Sequence, residues 1–308
     1  MPLHSPVPVA VLLHLSTTKN WPDFYLALQQ VPRPFDLFIN LVKGLNSTEV
    51  IQLQHERICS DFPDAHIIYS ENRGMDIGGM FRLFSQALAG QYQVLLYAHS
   101  KSDDAWRCNM LQRLTQHSTQ AIDILNHADS PTENRSGMVG AYTYPYDYYN
   151  LGPYLSLLAQ LGVKVDSTWA RYFERYPEMK SVAFEQRIAH ARDIATNGLR
   201  PELDVEYAGV MLGAPGQARQ MMNPDLLRQF IADKVVGELP YYPGNFFWIT
   251  MHLVRKLSTL IDFEKEHARL PLDLSSDRQF QSRAHAWERV LPVFAVKNGY
   301  DLFSLDSG

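Results

Sequence analysis

The sequence predicts an α/β fold built on a doubly wound, mostly parallel sheet, and three observations carry that prediction. Nearly continuous apolar runs recur at 7–14, 35–41, 65–70 and 92–98, each is followed by helical periodicity, and polar or glycine-rich residues follow the third and fourth runs directly. Unbroken apolar runs are the pattern of strands covered on both faces. Strand–helix alternation implies parallel pairing, with ligands gathered beyond the carboxyl ends of the strands.

Residues 7–14 (VPVAVLLH) open the sheet, with Pro8 at the strand entry, where a missing N–H is tolerated. Residues 20–30 read as a helix that ends before Pro32 and Pro34, and 35–41 (FDLFINL) as the second strand. Ser47 is placed to cap a helix whose apolar positions are Val50, Ile51, Leu53 and Ile58, stopping near Cys59 ahead of Pro63. Residues 65–70 (AHIIYS) form the third strand and lead into the polar, glycine-rich stretch 71–79, with 80–88 helical. The fourth strand, 92–98 (YQVLLYA), ends abruptly in His99-Ser100-Lys101; 106–127 is helical and 137–141 a short strand. Beyond residue 150 the rhythm loosens. Residues 166–200 are charged and helical in pattern, expected as an insertion or lid, with a strand at 207–212 and a capped helix at 223–232. Residues 241–248 (YYPGNFFW) read as a turn into an aromatic strand, 249–261 as a helix, and 282–294 as a helix that Pro292 should end early. No linker divides the chain, so 1–308 reads as a single domain with helical additions.

Composition narrows the class. With 46% hydrophobic and 20% charged residues the chain is not disordered, and 28 Lys and Arg against 33 Asp and Glu give a net charge of −5, which leaves no basic field for nucleic acid. Cys59 and Cys108 make neither a disulfide framework nor a four-cysteine zinc site, and fit a reducing compartment. The apolar runs are far shorter than the ~20 residues of a membrane span. Residues 1–4 lack the pattern of a signal peptide. The expectation is a cytoplasmic globular protein.

Three stretches could carry chemistry. In 71–79 (ENRGMDIGG), Asn72, Arg73 and Asp76 add amide, guanidinium and carboxylate groups at the carboxyl edge of the sheet, and Gly74 allows close backbone approach. The spacing is neither a dinucleotide fingerprint nor a phosphate loop. A plain capped turn with Arg73 paired to Asp76 explains it as well. After the fourth strand, Lys101 can neutralise a phosphate and His99 can donate to one or exchange a proton, although a solvated loop is an equal reading. Gly244, Phe247 and Trp248 suit either the core or the wall of a sugar pocket, and His285 and Glu288 lie three apart on one helical face. There is no G-x-S-x-G, H-E-x-x-H or C-x-x-C, and no Asp-x-Asp follows a strand.

Taken in order, Asn72 to Gly78, His99 to Lys101, Gly244 to Trp248 and His285 to Arg289 resemble four recurring stretches of the rhamnan-synthesis F family of bacterial polysaccharide glycosyltransferases. The sequence departs from that pattern at Met75, Ser100 and Phe246, where arginine, threonine and methionine are common. The resemblance implies a single glycosyltransferase domain over 1–308 with a GT-A-like fold. It would move a sugar of the rhamnose or galactofuranose type from a nucleotide diphosphate donor onto a lipid-linked or growing surface polysaccharide such as an O-antigen. Enzymes of that class usually hold a divalent metal with Asp-x-Asp where this chain has His99-Ser100-Lys101, so the expectation is a metal-independent site without a cofactor. Asn72, Arg73, Gly74, His99 and Lys101 are then expected at the donor, Gly244, Phe247, Trp248 and His285 at the acceptor or sugar, and Asp76 or Glu288 as the general base. Work at the cytoplasmic face of the inner membrane, peripherally or with other assembly enzymes, follows from the same resemblance. The alternative is a non-catalytic glycan-binding or assembly subunit that keeps the fold.

Overall fold

A computed structural model of the protein describes residues 8–126, 136–142, 157, 160–162, 241–272 and 283–305. The strands β1 (Val9–Leu15), β2 (Phe35–Lys43), β3 (His66–Glu71), β4 (Val94–His99) and β5 (Ser136–Gly140) alternate with the helices α1 (Trp21–Leu28), α2 (Thr48–Asp61), α3 (Met75–Ala87), α4 (Asp104–Gln116) and α5 (Ser118–Asn126). Then come β6 (Phe247–Thr250), α6 (Met251–Ser258), α7 (Phe263–Arg269), α8 (Arg283–Lys297) and β7 (Asp301–Ser304). The expected strand at 207–212, helix at 223–232 and insertion at 166–200 lie outside the described residues.

The strands join one seven-stranded sheet in the order β3-β2-β1-β4-β6-β5-β7. Pairing is parallel between β1 and β2, β1 and β4, β2 and β3, and β5 and β7. Among the described residues, β6 alone runs antiparallel, between β4 and β5. This is the α/β, mostly parallel, doubly wound architecture that the apolar runs predict. The order reverses between β1 and β4: β1 leads outward to β2 and β3, and α3 carries the chain back across to β4. A crevice opens at such a reversal because the loops beyond the two strands diverge.

Alternation along each strand sorts the core into two layers. Ala10, Leu12, Leu95 and Tyr97 face α3, α6, α7 and α8, whereas Val9, Val11, Leu13, Val94, Leu96 and Ala98 face α1, α2, α4 and α5. Phe81 of α3 meets Trp287 of α8 edge-on at 5.1 Å and stacks on Phe263 of α7 at 5.7 Å. Aromatic pairs of this kind add about 0.5–1.5 kcal/mol beyond their buried area. Among the described residues, no helix is long and apolar enough to cross a membrane.

Local chemistry explains most element boundaries. Ser47 accepts from the Val50 N–H and so caps α2 as its position predicts, and Asp103 caps α4 in the same way through Trp106. Several boundaries differ from expectation: β6 covers Phe247–Thr250 rather than 241–248, α6 is shorter than 249–261, and β7 has no counterpart in the sequence reading. The stretch 71–79 is not loop throughout, since α3 begins at Met75 and takes in Gly78 and Gly79. Packing overrides glycine's low helix propensity there. The helical stretch 106–127 is two helices, α4 and α5, broken at His117. Pro292 does not end α8, which continues to Lys297 with its apolar face buried.

Gly79 brings α3 close against His14 of β1. A Cβ placed on it would lie 2.0 Å from Nδ1 of His14. Gly79→Ala should therefore destabilise the protein by about 1–3 kcal/mol in urea unfolding followed by tryptophan fluorescence, although alanine favours helix by about 1 kcal/mol.

Candidate active site

The carboxyl ends of β1 and β4 carry His14 and His99, paired in register, with Asn40 of β2 beside His14. All three side chains share the α3 face of the sheet, because Leu12, Tyr97 and Phe38, two residues earlier, face that layer. The Ser100 N–H donates to the His14 carbonyl at 2.8 Å, which carries the ladder one step past β4. Above this row lies a cavity of about 370 Å³, lined by His14, Asn72, Asp76, His99, Lys101 and His285 among others. That volume falls within the range of small-molecule sites. A larger cleft, about 560 Å³, lies between α4–α5 and the end of β7 and is lined largely by polar side chains, including Asn109, Gln112 and Gln116. It contains none of the residues that the sequence nominates.

Asp76 is held in the first turn of α3. Its Oδ2 accepts from Nδ2 of Asn245 at 2.6 Å and lies 3.6 Å from Nε2 of His99, while its carbonyl accepts from the Tyr97 hydroxyl at 2.6 Å. Burial alone would raise its carboxyl. His99, the Asn245 amide, Lys101 and His14 outweigh burial and hold it below the usual carboxylate range. The nitrogens of His99 face the carbonyls of Ser100 at 2.7 Å and Gly244 at 2.5 Å. Carbonyl oxygens only accept, so whichever ring nitrogen carries a proton donates to one of them, and Asp76 lies beside Nε2.

Gly244 and Asn245 enter this site from the turn before β6, both with positive φ, 75° and 57°. At Gly244 a Cβ would also lie 1.9 Å from the Trp106 ring, so glycine is required twice over. Asparagine is one of the few other residues that adopt this conformation readily. Glu288 accepts from the Gly244 N–H and from Nη1 of Arg289 at 3.1 Å. Burial lifts its carboxyl above the usual range, with Asp76 adding to the lift against Arg289, the Gly244 N–H and Lys101. It clamps the turn to α8 and is not among the cavity-lining residues.

Lys101 lines the cavity with its ammonium over the Trp106 ring, 4.3 Å from the centroid. Its carbonyl accepts from Nη1 of Arg107 at 3.1 Å, and the buried Arg107 is anchored in turn by Asp23 and Asp104. The loop after β4 is thus tied to α4 and α1.

The structure brings Asn72, Asp76, His99, Lys101 and His285 to one cavity. Others differ from expectation. Arg73 donates to the carbonyls of Leu270 at 2.8 Å and Ala268 at 3.4 Å, so it holds the end of α7; its acidic partner is Glu71, not Asp76. Gly74 is the N-cap of α3, with φ 65°, and packs against Leu270. Phe247 and Trp248 do not form a sugar-pocket wall: both are buried in β6, one in each core layer, and the Trp248 indole donates to the Leu114 carbonyl at 3.1 Å. Sequence reasoning missed His14, Asn40 and Asn245. For the first two the available signal was a polar residue near the carboxyl end of an apolar strand run, as in VAVLLHL and FDLFINL. Among the described residues, no three His, Cys, Asp or Glu side chains are grouped to hold a metal ion.

No protein-family model matches the chain, and no curated protein matches it. Among solved structures it is similar to core-mannan synthase A from Aspergillus fumigatus in its Mn/GDP form, at 10% identity and a TM-score of 0.39 over 98% of this chain and 74% of that one.

The His14 ring is buried, and burial together with the neighbouring His99 brings its pKa from 6.5 down to about 3, with Asp76 opposing and His267 assisting. The unfolded chain therefore binds this proton first. Its contribution to stability is complete above about pH 6.5 and is lost as the pH falls toward 3, at up to about 1.4 kcal/mol per pH unit. Urea unfolding at stepped pH should show this slope in the wild type and its loss in His14→Phe.

Proposed function

We propose that the protein is a nucleotide-sugar-dependent glycosyltransferase with a GT-A-like fold. The observation that carries this reading is the convergence of Asp76, His99, Lys101 and Asn72 in one cavity at the reversal of strand order. The resemblance of the four sequence stretches to the rhamnan-synthesis F family supports it. The proposed donor carries a sugar of the rhamnose or galactofuranose type, and the proposed acceptor is a lipid-linked or growing surface polysaccharide such as an O-antigen, met at the cytoplasmic face of the inner membrane.

In the proposed reaction Asp76 accepts the proton of the acceptor hydroxyl as its oxygen bonds to the anomeric carbon and the bond to the nucleotide diphosphate breaks. Asp76 lines the cavity in its ionised form, so it has a free acceptor for that proton. Glu288 acts as a positioning residue, since both of its oxygens hold other groups. Negative charge grows on the leaving diphosphate, and Lys101 supplies positive charge there without a divalent ion.

The test is transfer from a panel of nucleotide sugars to a synthetic glycan acceptor. Transfer should persist in EDTA and fall roughly 10²–10⁴-fold in Asp76→Asn. Binding without turnover across the panel would favour the non-catalytic glycan-binding reading. Strict dependence on manganese or magnesium would refute the metal-independent mechanism.

Lys101→Ala separates catalysis from packing. Loss of the Trp106 contact is worth about 0.5–1 kcal/mol, so the melting temperature should fall by only a few degrees. Turnover should fall at least about tenfold, a floor under the 10²–10³ typical of a positioned electrostatic group.

A further inference from the structure

Two buried polar atoms of cavity-lining residues have no protein partner among the described residues, Oγ of Ser100 and Nε2 of His14. His14 is buried, and its Nδ1 lies 2.9 Å from Nδ2 of Asn40, whose amide also donates to Oγ of Ser70 at 2.8 Å. An amide nitrogen only donates, so Nδ1 of His14 accepts, and the ring proton resides on Nε2. Nε2 has no hydrogen-bond partner among the described residues, and His14 lines the cavity. A buried N–H without a partner is costly, which calls for an occupant that accepts from it. Gly79 supports the arrangement, since any side chain there would displace the ring.

We propose that His14 is a neutral hydrogen-bond donor whose Nε2–H binds an oxygen of the nucleotide-sugar donor, with Asn40 and Ser70 fixing its tautomer. The inference rests on the glycosyltransferase reading and deepens it. Lys101 and His99 line the same cavity, so an oxygen bearing negative charge is favoured beside them. A neutral donor adds specificity there without adding to the positive charge of Lys101. The bonded oxygen belongs either to the diphosphate or to a sugar hydroxyl, and the two sources give different results.

The experiment has two arms on the full chain. In the first, long-range ¹H–¹⁵N spectra of the ¹⁵N-labelled protein, assigned by the signal missing from His14→Phe, report the tautomer. An Nε2–H pattern that shifts when a bound nucleotide sugar is present supports the proposal, and one that stays unshifted overturns it. An Nδ1–H pattern would mean that the Asn40 amide is reversed and would overturn it, whether or not any variant folds.

In the second arm, calorimetry measures binding of UDP, GDP and dTDP and of their sugar conjugates. For the nucleotide that binds, His14→Phe should weaken affinity roughly tenfold, and His14→Gln, whose amide can still donate, should recover part of it. Weakening toward the bare diphosphate assigns the bond to a phosphoryl oxygen, and weakening only toward the conjugate assigns it to the sugar. A folded His14→Phe that binds like the wild type would overturn this proposal alone. Wild-type protein that binds none of the panel would overturn the glycosyltransferase reading as well.

Discussion

Removing a carboxylate from water demands compensating partners, and the placing of Asp76 beside His99 and the Asn245 amide meets that demand at the centre of the site. Three separate pieces of chain must be correctly placed for it to form. α3 supplies the carboxylate, β4 supplies the imidazole, and the turn before β6 supplies the Asn245 amide and the Gly244 carbonyl. Tyr97 adds a fourth tie by donating to the Asp76 backbone. The pair therefore couples the site to the sheet, because shifting any one element would strand a buried charge.

Around that pair, the cavity is shaped by groups that need not touch a ligand. Glu288 and Arg289 hold the Gly244 turn from α8, Arg107 holds the Lys101 loop from α4, and Arg73 ties the start of α3 to the end of α7. In each case a charged side chain ends on backbone, so its role is to fix where a loop lies. This division also explains why a list of charged residues near the sheet edge mixes cavity lining with scaffolding.

The sheet was legible because strands covered on both faces leave unbroken apolar runs, and β1 to β5 lie close to the runs that predict them. Boundaries were less legible where packing competes with propensity. Gly78 and Gly79 look like a loop in isolation and are helical because α3 must approach His14 closely. Pro292 looks like a stop and is carried through by the buried face of α8. Within the site, Asp76, His99 and Lys101 could be found by their place after apolar runs. Arg73 could not be separated from them, since sequence shows its position but not which carbonyls its guanidinium meets. His14 and Asn40 escaped notice because a single polar residue inside an apolar run reads as core.

β6 runs against its neighbours, and that has a consequence for how such a chain can diverge. The chain leaves β5 at Gly140 on the carboxyl edge and enters β6 at Phe247 on the same edge, since the two strands are antiparallel. Both ends of the intervening segment are thus anchored on the side of the sheet that carries the cavity. A change of length between those two anchors leaves the pairing of β5 with β6 in place. Evolution can rebuild the surroundings of the cavity while its floor of strand ends stays unchanged.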